Sequence, residues 1–328
     1  MAFDRKNRRE FMAVVAATVA WPLTGSAQSA VARRRVVLLS AAADPAARLG
    51  VFYEQLGALG YVAGRDFQLE IRSGEGHLDR LPTLAQGLAR EGGIDVILAE
   101  STIAAMAAHR ATQTIPIVAI VGIDPVASGL ANSLARPGGN VTGIALFAGE
   151  ADAKLVELVR ELAPRAVRLA VVSAISGSGT LNIEPVREAG RKLGFAVEVV
   201  VADPDRLPEA LGPAVVAGYD AFVFVADVVL TSRRDEIIRL IAPTRKPAIF
   251  GGRTWVDSGG LMSYGPDIRD ATRRWASQLV RVLKGEQPKD LPFERPTKFE
   301  FRINLRTARA MGIEIPPALL ARADEIIE

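Results

Sequence analysis

From Arg35 to the end of the chain, short runs of β-branched and aliphatic residues alternate with helix-forming stretches. That alternation constrains the fold more than any other feature. Residues 36–40 (VVLLS) read as a first strand and 48–59 as a helix. Residues 67–72, 95–99 and 115–121 read as further strands, with helices over 81–90 and 102–111 between them. Strand–helix–strand units of this length build a parallel sheet. The strands are near-continuous apolar runs, as expected where helices cover both faces.

After the Gly/Pro-punctuated passage RPGGNVTGIALF (136–147) the rhythm begins again. Helices are expected over 152–162, 182–193, 207–216 and 232–241, and strands over 168–173, 196–201, 221–226 and 247–250. Ser232 with Asp235 has the form of a capping box at the start of the last helix. Two successive series of one type argue for two Rossmann-like α/β lobes, each a parallel sheet flanked by helices. The tail adds GGLMSYGPD (259–267), an amphipathic helix over 268–284 and an alternating strand over 298–303. It is placed most simply if the chain crosses between the lobes more than twice, giving a hinge of several parallel strands and a cleft.

The first residues follow different rules. A thirteen-residue apolar run at 11–23 is preceded by Arg5, Lys6, Arg8 and Arg9 and followed by small residues. A bilayer-spanning helix takes roughly 20 apolar residues, so this is the pattern of a removable export signal over residues 1–32. Cleavage is expected after Ala27 or Ala32. Arg8-Arg9-Glu10-Phe11-Met12 also resembles the twin-arginine signal. No later segment is apolar enough to span a membrane. Four basic and two acidic residues among the first 27 leave the remainder near +1 of the chain's +3, which is no nucleic-acid-binding balance. There are no cysteines, so disulfides, thiol catalysis, cysteine-held metals and lipid attachment through an N-terminal cysteine are excluded.

Signals for catalysis are thin. The two histidines, His77 and His109, have no metal-ligand spacing, and His109 late in a helix reads as structural. The run Ser176-Gly177-Ser178-Gly179 is neither a nucleophile elbow nor a P-loop. No Gly-x-Gly-x-x-Gly follows the first strand, so no dinucleotide or other cofactor is expected. Binding is better supported. In open α/β sheets ligands sit beyond the carboxyl ends of the strands, where helix N-termini point free N–H groups outward. Small and polar residues occupy those ends: Ala42, Ala43, Ser101, Thr102, Asp124, Ser176, Gly177, Ser178 and Asp227. A carboxylate such as Asp227 suits a ligand amine. Trp255 and Tyr264, in a glycine-rich stretch, offer aromatic faces to a ligand or to the core. Asp44-Pro45 and Asp124-Pro125 also have the form of a helix N-cap followed by proline, and Ser101 and Thr102 could serve as caps.

At three places a resemblance becomes specific: VGIDPVASGLANSLARPGGNVTGIA (121–145), GGLMSYGPD (259–267) and RPTKFEFRINLRTARAMGIEIPPALLARADEIIE (295–328). These segments, in this order, resemble the exported ABC-transporter substrate-binding proteins related to tryptophan- and tyrosine-type binding proteins, many of which carry a leader of the RREF kind. The resemblance runs over nearly the whole chain. It implies a type I periplasmic binding-protein architecture with a three-crossing hinge. The expected lobes are 33–145 with about 264–293, and 146–263 with about 294–328. It implies a periplasmic receptor for a small polar metabolite, such as an amino acid, that delivers its ligand to a membrane permease driven by a separate ATPase. A monomer is expected. The family's ligand loops fall on Ala42-Ala43, Ser101-Thr102, Asp124, Ser176-Gly177-Ser178 and Asp227. Relatives often have Asn-Pro where this chain has Ala174-Ile175, so the family's aromatic ligands do not transfer automatically. A ligand-binding module for a membrane sensor would share these features, and a secreted enzyme on the same fold would need a base or a metal.

Overall fold

The computed structural model describes residues 33–42, 44–45, 49–146, 149–174, 183–203 and 206–328. The export signal expected at 1–32 lies outside them, as do Ala43, Ser176, Gly177 and Ser178. Among the described residues no helix is long and apolar enough to cross a membrane.

Five parallel strands form the first sheet: β1 (Arg34–Ser40), β2 (Phe67–Ser73), β3 (Val96–Ala99), β4 (Ile117–Val121) and β5 (Val141–Ala145), in the order β2-β1-β3-β4-β5. Helices α1 (Leu49–Ala58), α2 (Leu81–Glu91) and α3 (Thr102–Ala111) connect the first four strands. Successive residues of a strand point to opposite faces, and both faces here are covered. Val37, Leu39, Ile97 and Ala99 pack with Leu81, Ala85 and Leu88 of α2 and Ala104, Ala105 and Ala108 of α3. Val36, Leu38, Val96 and Leu98 pack with Leu49, Phe52 and Leu56 of α1. Trp275, from far along the chain, joins that second cluster. Its ring lies 4.9 Å from Phe52 and its Nε1 donates to the Val118 carbonyl at 2.9 Å.

The sequence pattern did not announce β5, because glycine sits at its centre. Gly143 has φ +144°, and a Cβ there would fall 1.9 Å from the Ala119 carbonyl oxygen of the paired strand. Both a strained backbone, at about 1–3 kcal/mol, and a displaced sheet neighbour would follow from a side chain. Gly143→Ala is therefore expected to cost more than about 3 kcal/mol, read as a lower urea midpoint by circular dichroism. A loss under about 1 kcal/mol would show that the two strands can part.

Among the described residues the second sheet has seven strands: β6 (Arg168–Ala174), β7 (Ala196–Ala202), β8 (Ala221–Phe224), β9 (Ala248–Phe250), β10 (Met262–Pro266), β11 (Phe299–Asn304) and β12 (Glu325–Ile327). Their order is β12-β11-β10-β9-β8-β6-β7, parallel except that β11 runs antiparallel to β10. One face is covered by α4 (Gly149–Leu162) and α5 (Ile183–Lys192), with Leu155, Val156, Val159 and Val186 against Leu169, Val171, Val223 and Ile249. The other is covered by α6 (Leu207–Val216), α7 (Val228–Ser232), α8 (Arg234–Ile241) and α9 (Arg253–Asp257). These contribute Leu207, Leu211, Leu230, Ile237 and Trp255 to a core with Phe222, Phe224 and Phe250.

Helix α10 (Ile268–Leu283) follows β10 directly, yet it packs on the first sheet with Ala271, Trp275, Ala276 and Leu279. After it the chain runs beside β5: the Ala145 amide donates to the Glu294 carbonyl at 2.8 Å and the Glu294 amide to the Gly143 carbonyl at 2.9 Å. It then returns to the second sheet as β11, followed by α11 (Leu305–Met311) and α12 (Pro317–Leu320). The chain thus passes between the sheets after β5, after β10 and again before β11. The helix expected over 232–241 is α8, which starts two residues later, at Arg234. Ser232 closes α7, and α8 begins at Arg234 after Arg233, whose side chain does not cap it. The expected capping box at Ser232 is corrected accordingly.

Candidate functional site

Parallel strands end together, so the loops that follow them gather along one edge of a sheet. At the carboxyl edge of the first sheet those loops are fixed by short polar side chains. Ser40, the last residue of β1, is fully buried; its hydroxyl donates to the Glu100 carboxylate and accepts the Ala42 amide at 3.0 Å. Ser73, at the end of β2, donates to the Ala42 carbonyl at 2.6 Å. Both backbone groups of Ala42 are held. Ser101 caps α3, accepting from the Ala104 amide at 3.2 Å, and Thr102 Oγ1 accepts the Gly122 amide at 2.9 Å. The second bond ties the end of β3 to the end of β4. Asp124 Oδ1 accepts the amides of Val126 and Ala127 at 2.8 and 3.4 Å. What it caps is a turn over 125–129, not a helix, because the Leu130 amide folds back onto the Pro125 carbonyl. The N-cap form of Asp124-Pro125 is real in its hydrogen bonds and corrected in its product.

The carboxyl edge of the second sheet is built from β6, β8, β9 and β10. Asp227 follows β8, is buried, and caps α7: its Oδ1 accepts the Leu230 amide at 3.0 Å, and its carbonyl accepts the Thr231 amide and hydroxyl at 2.9 and 2.6 Å. Gly251 and Gly265, just beyond β9 and within β10, pass backbone to backbone. A Cβ on Gly265 would lie 2.7 Å from the Gly251 carbonyl, and one on Gly251 would lie 2.4 Å from the Ala226 nitrogen. Main chain there packs on main chain with no room for a side chain.

The two edges meet. Ile103, next to Ser101 and Thr102, and Leu78, beyond β2, pack against the first sheet's core and also against the second-sheet cluster that holds Leu230, Phe250 and Trp255. Two apolar side chains from the carboxyl edge of one sheet thus touch the core of the other, and the polar strand ends around them are apposed.

Trp255 takes the packing alternative. It is 1 % exposed and stacks on Phe250 at 4.6 Å and 16°, with Phe224 at 5.5 Å. Tyr264 is half-buried and stacks on Phe299 at 5.8 Å and 9°. It lies on the α4 face of the sheet, within electrostatic reach of Lys154, Glu157 and Asp324, and burial raises its phenol. His109 is structural as expected, its Nδ1 3.1 Å from Asn140 Oδ1.

A scan along the whole chain matches the model of the ABC transporter substrate binding protein family over residues 36–327. The chain belongs to the ABC transporter substrate-binding proteins. Among curated relatives of this binding protein is a tyrosine-binding protein of Clostridioides difficile (strain R20291), 25 % identical over 80 % of this chain and 76 % of that one. Among solved structures, a conserved domain protein from Vibrio cholerae superposes with a TM-score of 0.83 at 25 % identity, over 89 % of this chain and 99 % of that one. The ABC domain in complex with L-Trp from Streptococcus pneumonia gives 0.82 at 24 % identity, over 90 % and 100 %. The fold is the two-lobed α/β fold of type I periplasmic binding proteins.

Within this binding protein the strand-end rule brings Ala42, Ser101, Thr102 and Asp124 to one edge and Asp227 to the facing one. It missed Asp152, a buried carboxylate near the start of α4 whose burial raises it to about 7. The expected helix over 152–162 starts at Asp152, a position that gives no sign of burial. The helix begins three residues earlier, at Gly149, so Asp152 lies within its first turn and is buried, with Leu155 and Val156 one turn further on.

Proposed function

We propose that this chain is an extracytoplasmic receptor that closes on an amino acid or a related small organic molecule and delivers it to an ABC importer. The apposition of the two carboxyl edges through Leu78 and Ile103 carries the proposal. It makes a crevice walled by Ala42, Ser101, Thr102 and Asp124 on one side and by Asp227 on the other. Fixed backbone amides and hydroxyls of this kind orient a small polar ligand without reorganising. The relatives named for tyrosine binding and solved with L-Trp support an amino-acid ligand.

The moving bodies would be the first sheet with α10 and the second sheet with its remaining helices, hinged at the three crossings, the one that follows β5 and those near 266–268 and 295–298. A ligand bridging them stabilises the closed form by its differential contacts. Residues 1–32 would be removed on export, by the twin-arginine or the general route, leaving a periplasmic monomer that engages a permease with a separate ATPase. The binding-protein family and the capping roles of the strand-end hydroxyls and carboxylates favour binding without turnover.

A thermal-shift and calorimetric panel of the amino acids and aromatic acids tests this. One class of compound is expected to bind one to one and, at 100 times its dissociation constant, to stabilise the protein by about 2.7 kcal/mol. Should no compound of the panel shift the transition, and none co-purify, the receptor function is lost.

A further inference from the structure

We infer that Asp152 receives the ammonium group of the bound metabolite, which makes the ligand an amine-bearing one, an α-amino acid or a simple amine; this rests on the receptor function proposed above. The topology places it. The chain leaves the carboxyl edge of β5 at Ala145 and enters α4 at Gly149; α4 lies on the face of the sheet formed by β8, β9 and β10 and leads to the start of β6 at Arg168. A helix that returns a parallel chain to the start of its next strand has its own first turn at the carboxyl ends. The first turn of α4, and Asp152 with it, therefore lies at the carboxyl edge of the second sheet.

Its chemistry is what separates it from the other carboxylates there. Asp124 and Asp227 already accept backbone amides. Asp152 is 7 % exposed and, among the described residues, makes no hydrogen bond or ion pair. Aspartate is common at helix starts because the macrodipole favours negative charge there, but such residues normally stand in solvent. A buried carboxylate without a partner either keeps its proton or waits for a cation. Burial raises it to about 7 in spite of the helix start. An ammonium group supplies the missing partner, through charge-assisted N–H···O bonds.

The test is calorimetry on the wild type, Asp152→Asn and Asp152→Glu with three probes matched in shape: L-tryptophan, tryptamine and indole-3-propionate, with the tyrosine series alongside. The wild type is expected to bind an amine-bearing probe and to bind the amine-free acid far more weakly. Asp152→Asn should lose about 30-fold or more in affinity for the amine-bearing probe, because one partner of a buried charged pair is gone. Asp152→Glu should recover part of that loss. Equal affinity in wild type and Asp152→Asn, or preference of the wild type for the amine-free acid, overturns the role of Asp152 and leaves the receptor function standing. Binding of no probe, with none co-purifying, overturns both.

Discussion

Asp152→Asn is expected to make the ligand-free protein more stable at pH 8, by up to about 4 kcal/mol, while weakening its hold on an amine. The carboxyl is raised from the usual 3.8 to about 7, and burial is the cause. Between those values the native state holds a proton that the unfolded chain has released. Stability therefore falls as pH rises from about 4 to about 7 and is level above that. Each tenfold difference in proton affinity between the two states is worth about 1.4 kcal/mol, which sets the upper figure. Asparagine has the same shape and no ionisation, so its advantage is about 4 kcal/mol above pH 7 and shrinks to about 2 kcal/mol at pH 5. In a body of this size each kcal/mol moves the melting temperature by about 2 °C. Melting curves of both proteins from pH 5 to 8 measure it. A difference between the variants that does not change with pH would mean that Asp152 is ionised and solvated throughout. Sites that need a cation to settle a buried charge are where stability and function trade against each other.

Trp255→Ala should be the most damaging single truncation in the second lobe, at about 3–5 kcal/mol. The indole stacks on Phe250 and leans on Phe224 in a three-ring cluster, and the Trp255 backbone carbonyl accepts the Gly260 amide at 2.8 Å. Gly260 has no room to fill a void: a Cβ there would lie 2.8 Å from the Trp255 oxygen and 2.9 Å from the Phe250 ring. Offset aromatic pairs add about 0.5–1.5 kcal/mol each beyond the area they bury. Trp255→Phe keeps most of the stack and should lose far less. Urea unfolding of both variants, with ligand affinity measured on Trp255→Phe, separates packing from recognition. An unchanged midpoint with a large loss of affinity would instead make Trp255 part of the ligand's surface.

Strands such as β1, β3 and β8 were legible because a strand covered by helices on both faces must be apolar throughout, and few other segments look like that. β5 was not, since its central Gly143 exists for contact with β4, a partner on the other side of a long loop. The same holds for Asp227, which looked like a ligand carboxylate directly after an apolar run. Its capping role depends on a five-residue helix too short to have a pattern of its own.

By itself, the sequence determined the two α/β series, the parallel order of most strands and the gathering of small polar residues at strand ends. Each of these follows from local periodicity and from the rule that parallel strands finish on one side. Only the tertiary structure decided that α10 belongs to the first sheet, that β11 turns antiparallel, that Trp255 faces inward and that Asp152 is buried. Those outcomes depend on which surfaces meet and on a helix register of three residues. Energies of that kind arise between segments far apart in the chain, and no window along it contains them.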